Sequence, residues 1–351
     1  MPNFSGKLNA NEIFGSLFNM IISQEVFSDN IKGDDLVDKA RVDGTLFGDT
    51  KLYYASDALA TSEWGNDVEA QDLLKLHRPA APECQAIVLN QFRQVSLTVD
   101  QYLSKRAWMN EGAFTSFNSA METWMNDTKK VHCATLYNAY IGTTTGASNK
   151  ANIEIPLSDV TATGVEGNKL KGELIAQHMA DLLSDMTDYN RDYNDYKYLR
   201  RYSPSEVKFI WNSKFVNMIR YTSVPEIFHK EGIDLVGDSL PARYFGEVNT
   251  DATNGDGTKV RSLIEQVIGD NHYFAGDLID TSDTAPAGTS YTQDDDVICK
   301  VVVKLPPFMS AFSVATDFFN PKSLTDNKYL TFGYNTLEYF KAYPFLTVHA
   351  D

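Results

Sequence analysis

The chain has 351 residues, 22% charged and 43% hydrophobic, the balance of a globular protein with room for a large core. Its formal charge of −16 excludes general nucleic-acid binding, which runs on Lys and Arg neutralising phosphates. Cys84, Cys133 and Cys299 are too few and too scattered for a disulfide framework or a structural zinc site, which points to a reducing cytoplasm.

Apolar spacing over 11–27 (NEIFGSLFNMIISQEVF) predicts an amphipathic helix capped by Asn11, and the polar stretch from Asn30 to Gly44 makes this beginning an arm. Two β-rich runs follow, one after Thr45 (LFGDTKLYYASDAL) and one after Gln85 (AIVLNQFRQVSLTV). They flank a polar excursion at 61–83, the pattern of an extended hairpin reaching away from the body. Thr98-Val99-Asp100-Gln101 fits a capping box opening a helix that bends near Asn110-Glu111-Gly112. From Phe114 the helical spacing continues to Gly142; unbroken from 111 to 141, the helix is ~45 Å long. Asn126-Asp127-Thr128 are weak helix formers and mark where a break is expected, if there is one.

A short strand at Ile153-Glu154-Ile155 precedes a clean amphipathic helix carrying Leu170, Leu174, Ile175, Met179, Leu182 and Met186. The Tyr- and Asp-rich 188–202 reads as a loop or recognition surface, and Glu206-VKFIWN as a buried strand with a helix after it. A turn-rich segment at 249–259, a helix at 260–268 and a polar loop at 282–296 come next. The last third is strand-prone: Val297-ICKVVVKL, Phe308-MSAFSVATDFFN, and Tyr329 through Val348.

No residue grouping carries recognisable chemistry. The six histidines avoid metal spacings, and His178, on an apolar helix face, reads as a core histidine. Asp251-ATNGDGTK resembles a calcium loop, but Ala252 and Leu263 occupy the positions of its first and bidentate ligands, so a turn is the better reading. Asp294-Asp295-Asp296 reads as a solvated run, and neither a P-loop nor a nucleophile elbow occurs. No run approaches the ~20 apolar residues of a membrane span, and the start lacks a secretory leader's pattern. Catalytic residues, cofactors and metals are therefore all assigned as none; a hydrolytic enzyme with an unrecognised acidic site stays open as an alternative.

The order of parts, with Gln91-FRQVSLTVDQYLSKRAW, the strand and helix over 205–218, and Phe318-Phe319-Asn320-Pro321-Lys322-Ser323-Leu324, resembles the major capsid proteins of tailed double-stranded-DNA phages. That resemblance implies an α+β Hong Kong 97-type fold: an N-terminal arm at 1–44 and an extended E-loop hairpin at 45–97. A P-domain with its spine helix follows at 98–164, an A-domain at 165–290, and C-terminal strands completing both at 291–351. It further implies a non-enzymatic coat subunit forming pentamers and hexamers of an icosahedral virion shell around DNA, assembled in the host cytoplasm. Scaffolding, portal and decoration proteins are the partners such shells use, and no membrane is involved. An encapsulin-type cargo shell shares the fold and remains an alternative. Phe47, Tyr53, Tyr54, Ile87, Leu89 and Phe92 are expected to pack on an adjacent subunit, with Arg93, Lys105 and Arg106 meeting its acidic patches.

Overall fold

The computed structural model describes residues 35–44, 49–61, 76, 78–100, 111–216, 237–249 and 290–351. The helix expected over 11–27, the calcium-like turn, the helix at 260–268, and Phe47, Lys105 and Arg106 lie outside them. In chain order the elements begin with α1 (Asp35–Ala40), β1 (Arg41–Asp43), β2 (Thr50–Ala55), β3 (Glu83–Asp100) and α2 (Glu111–Thr143). Then come β4 (Asn152–Ile155), α3 (Gly164–Thr187), β5 (Lys208–Asn212), β6 (Asp238–Leu240), β7 (Gly246–Asn249) and β8 (Ser290–Gln293). The last are β9 (Val297–Val302), β10 (Phe308–Asn320), β11 (Thr325–Asn335) and β12 (Phe345–Ala350). They divide between two units, Met1–Asp49 with Leu89–Leu136 and Phe308–Thr336, and Thr50–Val88 with Tyr137–Pro307 and Leu337–Asp351.

In the first unit, β1 runs parallel to β10, which pairs antiparallel with β11, which pairs antiparallel with β3. One face of this sheet carries Phe332 and Tyr334, and both pack against His132 of α2. The stacked pair Phe308 and Tyr334 extends that apolar face. Asn335, the last residue of β11, is fully buried; its Oδ1 accepts the Met309 N–H at 2.7 Å, satisfying a donor next to the register shift at Ser310–Ser313.

One local reading is corrected here. The capping box at Thr98 does not form, because β3 stays extended to Asp100 and pairs Thr98 with Asn327, whose Oδ1 accepts the Thr98 hydroxyl at 2.7 Å. Cross-strand pairing outweighs a local cap of about 1 kcal/mol. The weak helix formers at 126–128 do not break α2, whose 33 residues span about 50 Å. Thr128 donates back to the Trp124 carbonyl at 2.9 Å, and buried Asp127 pairs with Lys130 one turn on at 3.1 Å, so both polar side chains are satisfied within the helix.

The second unit is built on a five-stranded sheet in the order β4-β12-β9-β5-β6. The β-branched run of β9 is buried along its whole length, as a central strand must be. Ile175, Met179, Leu182, Leu183 and Met186 on α3 join Phe209, Trp211, Val301 and Val348 in one core, so the helical stripe read from sequence packs from Leu174 onward, while Leu170 at its start is exposed. His178 is half-buried on that helix. Part of the expected loop at 282–296 is instead β8, paired antiparallel with β7.

Candidate assembly surfaces

Residues 50–55 and 83–88 form a two-stranded antiparallel ribbon in the second unit. Directly opposite residues share a face, so the register sorts the side chains. Lys51 with Ile87 and Tyr53 with Gln85 lie on one face; Leu52 with Ala86 and Tyr54 with Cys84 lie on the other. The first face is held by its own chain. Ile87 is 1% exposed, and the Tyr53 ring meets Phe340 edge-on at 4.8 Å. The Lys304 ammonium sits among aromatic rings, 4.8 Å from the centre of Phe340, 5.5 Å from Tyr343 and 5.9 Å from Tyr53. Gln85 is buried and makes two backbone bonds: its Nε2 donates to the Tyr339 carbonyl at 2.8 Å, and its Oε1 accepts the Lys341 N–H at 3.1 Å.

The opposite face is open. Leu52 is 51% exposed and Tyr54 67%, and Cys84 and Ala86 beside them are exposed as well. The ribbon thus has one face covered by its own chain and one left uncovered.

This partition corrects part of the sequence expectation. Ile87 and Leu89, expected against a neighbour, are 1% and 0% exposed and have no surface left to offer one. Leu89 is enclosed tightly enough that a Cβ added at Gly44 would lie 2.7 Å from its Cδ1. Tyr53 is half-buried on its own chain. Phe92 and Arg93 are half-buried on β3, opposite Gly333 and Phe332, and the Arg93 charge is felt at His132 within the same unit. Of the described candidates only Tyr54 is freely presented. Leu52, Cys84 and Ala86 share its exposed face, as alternation along a strand requires, since Tyr53 and its neighbour Tyr54 cannot share one.

A second open surface is the far end of the β10–β11 hairpin. Adjacent Phe318 and Phe319 point to opposite faces, yet are 61% and 41% exposed, so neither face carries a core there. The connection is ordered by its own polar groups: the Asn320 Oδ1 accepts the Lys322 N–H at 3.1 Å, and the Ser323 and Thr325 hydroxyls are 2.7 Å apart. Leu324 takes a left-handed φ of 52° and leaves its side chain in solvent. Among the described residues, no group of three or more His, Cys, Asp or Glu is placed to hold a metal ion.

The family model of the Phi29-like phage major capsid protein matches residues 4–295 of this chain. Among solved structures, the capsid structure of Staphylococcus phage Andhra aligns at a TM-score of 0.61 and 12% identity, covering 94% of this chain and 87% of that one. A structure described as the head fiber and inner core protein gp22 of native bacteriophage P68 aligns at 0.62 and 10% identity, covering 93% and 87%. Among curated proteins, none is detectably similar to this chain. The mixed helix and sheet architecture is that of the Hong Kong 97-type capsid fold.

Proposed function

The chain belongs to the Phi29-like phage major capsid protein family, a structural subunit of an icosahedral phage capsid and not an enzyme, and from that premise we propose how one copy meets the next. Neither the cargo-shell nor the hydrolase alternative finds support in the family match. The protein is a component of the virion. Its copies join as pentamers and hexamers, assemble in the host cytoplasm and enclose double-stranded DNA without reading its sequence. The net charge of −16 suits a wall that contains DNA without adhering to it. Residues 1–44 serve as the N-terminal arm, the ribbon as the E-loop, 98–164 as the P-domain, 165–290 as the A-domain, and the C-terminal strands complete both. Scaffolding, portal and decoration proteins are the further partners of such a shell.

The observation that carries the contact is the open ribbon face. Tyr54 and Leu52 lie on it while Tyr53 and Ile87, directly behind, are held by the chain itself. Burying the two side chains against a neighbour contributes about 1.5–3 kcal/mol each, repeated at every copy of a closed shell. Phe47, Phe92, Arg93, Lys105 and Arg106 remain proposed contacts with a neighbouring copy in their own right, and the Phe318/Phe319 hairpin end supplies a further one.

The test is assembly of the full-length protein. Wild type forms particles by negative-stain microscopy and sedimentation. The double variant Leu52→Asp/Tyr54→Asp keeps its unfolding midpoint and sediments as small oligomers. Particles formed at normal yield by that variant would refute the contact.

A further inference from the structure

The ribbon is tied to the rest of its unit where its strands lead into their connecting segment, as well as along its inner face. Asp57, two residues beyond β2, accepts two bonds from the loop 188–202: Arg191 Nη1 donates to its Oδ2 at 2.5 Å, and the Leu199 N–H to its Oδ1 at 2.9 Å. Next to it, Arg200 Nη2 donates to the Ser56 carbonyl at 2.5 Å. The bond from Arg191, then that from the Leu199 amide, holds the Asp57 carboxyl down at about 2, so the tie is ionic across the whole working pH range.

The loop that receives Asp57 is a stiff anchor. Asn190 and Arg200 exchange backbone bonds of 2.9 and 3.0 Å. Fully buried Asn194 braces it inside: its Nδ2 donates to the Tyr198 carbonyl and its Oδ1 accepts the Tyr198 N–H, both at 2.8 Å. Lys197 takes a left-handed φ of 56°, which turns its carbonyl onto Arg191 Nη1 at 2.8 Å, so the same guanidinium nitrogen that meets Asp57 is oriented from behind. Asp195 connects the loop to the segment that holds Gln85: its N–H donates to the Lys341 carbonyl at 3.0 Å, and its Oδ2 accepts the Tyr339 hydroxyl at 2.6 Å.

Nothing in the ribbon's own fold needs this. A two-residue overhang with an ion pair half open to solvent adds little stability. What the arrangement does is fix direction. Gln85 clamps one strand and Asp57 the other, each to a part of one braced body, so the ribbon has a single exit angle before any neighbour arrives. The geometry points to Asp57 as a positioning residue for assembly: anchored by Arg191 and the Leu199 amide, it presets the direction of residues 50–57 before the ribbon docks onto the next copy. This rests on the reading of the ribbon as an inter-copy contact.

Cys84 makes the test direct, because it is exposed on the ribbon while Cys133 and Cys299 are buried. A thiol-reactive spin label therefore reports on the ribbon in unassembled full-length protein. In Asp57→Ala the label becomes more mobile, the unfolding midpoint stays put, and the protein concentration needed for assembly rises roughly tenfold. Asp57→Asn, which keeps an acceptor for Leu199 and loses the charge facing Arg191, falls between. Unchanged label mobility in Asp57→Ala overturns the proposal, and so does increased mobility with unchanged assembly. The Leu52→Asp/Tyr54→Asp variant separates the two ideas. If it still blocks assembly in the second case, the ribbon contact stands and only the presetting role of Asp57 falls.

Discussion

The Lys300 ammonium sits 3.0 Å from the carbonyl oxygen of Thr144, the residue immediately after α2, and 2.8 Å from the hydroxyl of Thr347, its cross-strand partner on β12. A lysine fully enclosed in a sheet thus closes the C-terminal end of the longest helix, where carbonyls lack helical partners and the dipole favours positive charge.

Burial pushes Lys300 from 10.5 down to about 7, although nearby Asp294 favours its charged form. Its folded value lies below its unfolded one, so between about pH 7 and 10.5 the unfolded chain holds the extra proton. Stability from this group therefore rises as pH increases through that window. Thermal unfolding at pH 7 and pH 9 should show the midpoint of wild type rising by about 3 °C or more, and that of Lys300→Met nearly level.

On the acid side of the pH scale, His132 is a contributor. Burial first, and the Arg93 charge second, lower it from 6.5 to about 4, and its Nε2 lies 3.5 Å from the Tyr334 hydroxyl. Here too the folded value is the lower, so stability is complete above pH 6.5 and is lost as pH falls toward 4. Unfolding midpoints measured from pH 7 to 4 should fall less steeply in His132→Leu than in wild type.

Gly142, in the last turn of α2, has no room for a side chain. A Cβ there would lie 1.9 Å from the Tyr244 carbonyl oxygen, a main-chain atom that no rotamer change can move aside. Gly142→Ala should cost about 3 kcal/mol in urea unfolding, far outside the gain alanine normally brings to a helix.

Phe318 and Phe319 offer the converse case. Both are exposed, so Phe318→Ser/Phe319→Ser should leave stability within about 0.5 kcal/mol of wild type. Particle yield should drop while the isolated subunit stays folded, which sedimentation and circular dichroism together decide.

What the sequence revealed follows the range of the interactions involved. The α3 stripe and the buried β9 run were readable because each depends on periodicity within a few residues. The continuation of β3 to Asp100 was not, since its partner β11 lies more than 200 residues away and the local residues favour a helix cap. The ribbon was found but its faces were not sorted: Tyr53 and Tyr54 look alike until register assigns one to the body and one to solvent. Asp57 carries no motif at all. Its role depends on a loop over 130 residues further on, which sequence marked only as Tyr- and Asp-rich.

Strand β12 lies inside its sheet, between β4 and β9, though it is the last of the strands in chain order. A nascent chain that the ribosome has extended only to Phe340 already holds its neighbours, yet leaves a slot with unpaired edges between them. Translation must therefore deliver residues 345–350 before that unit can close, and a half-made polypeptide has no finished body with which to enter a growing shell.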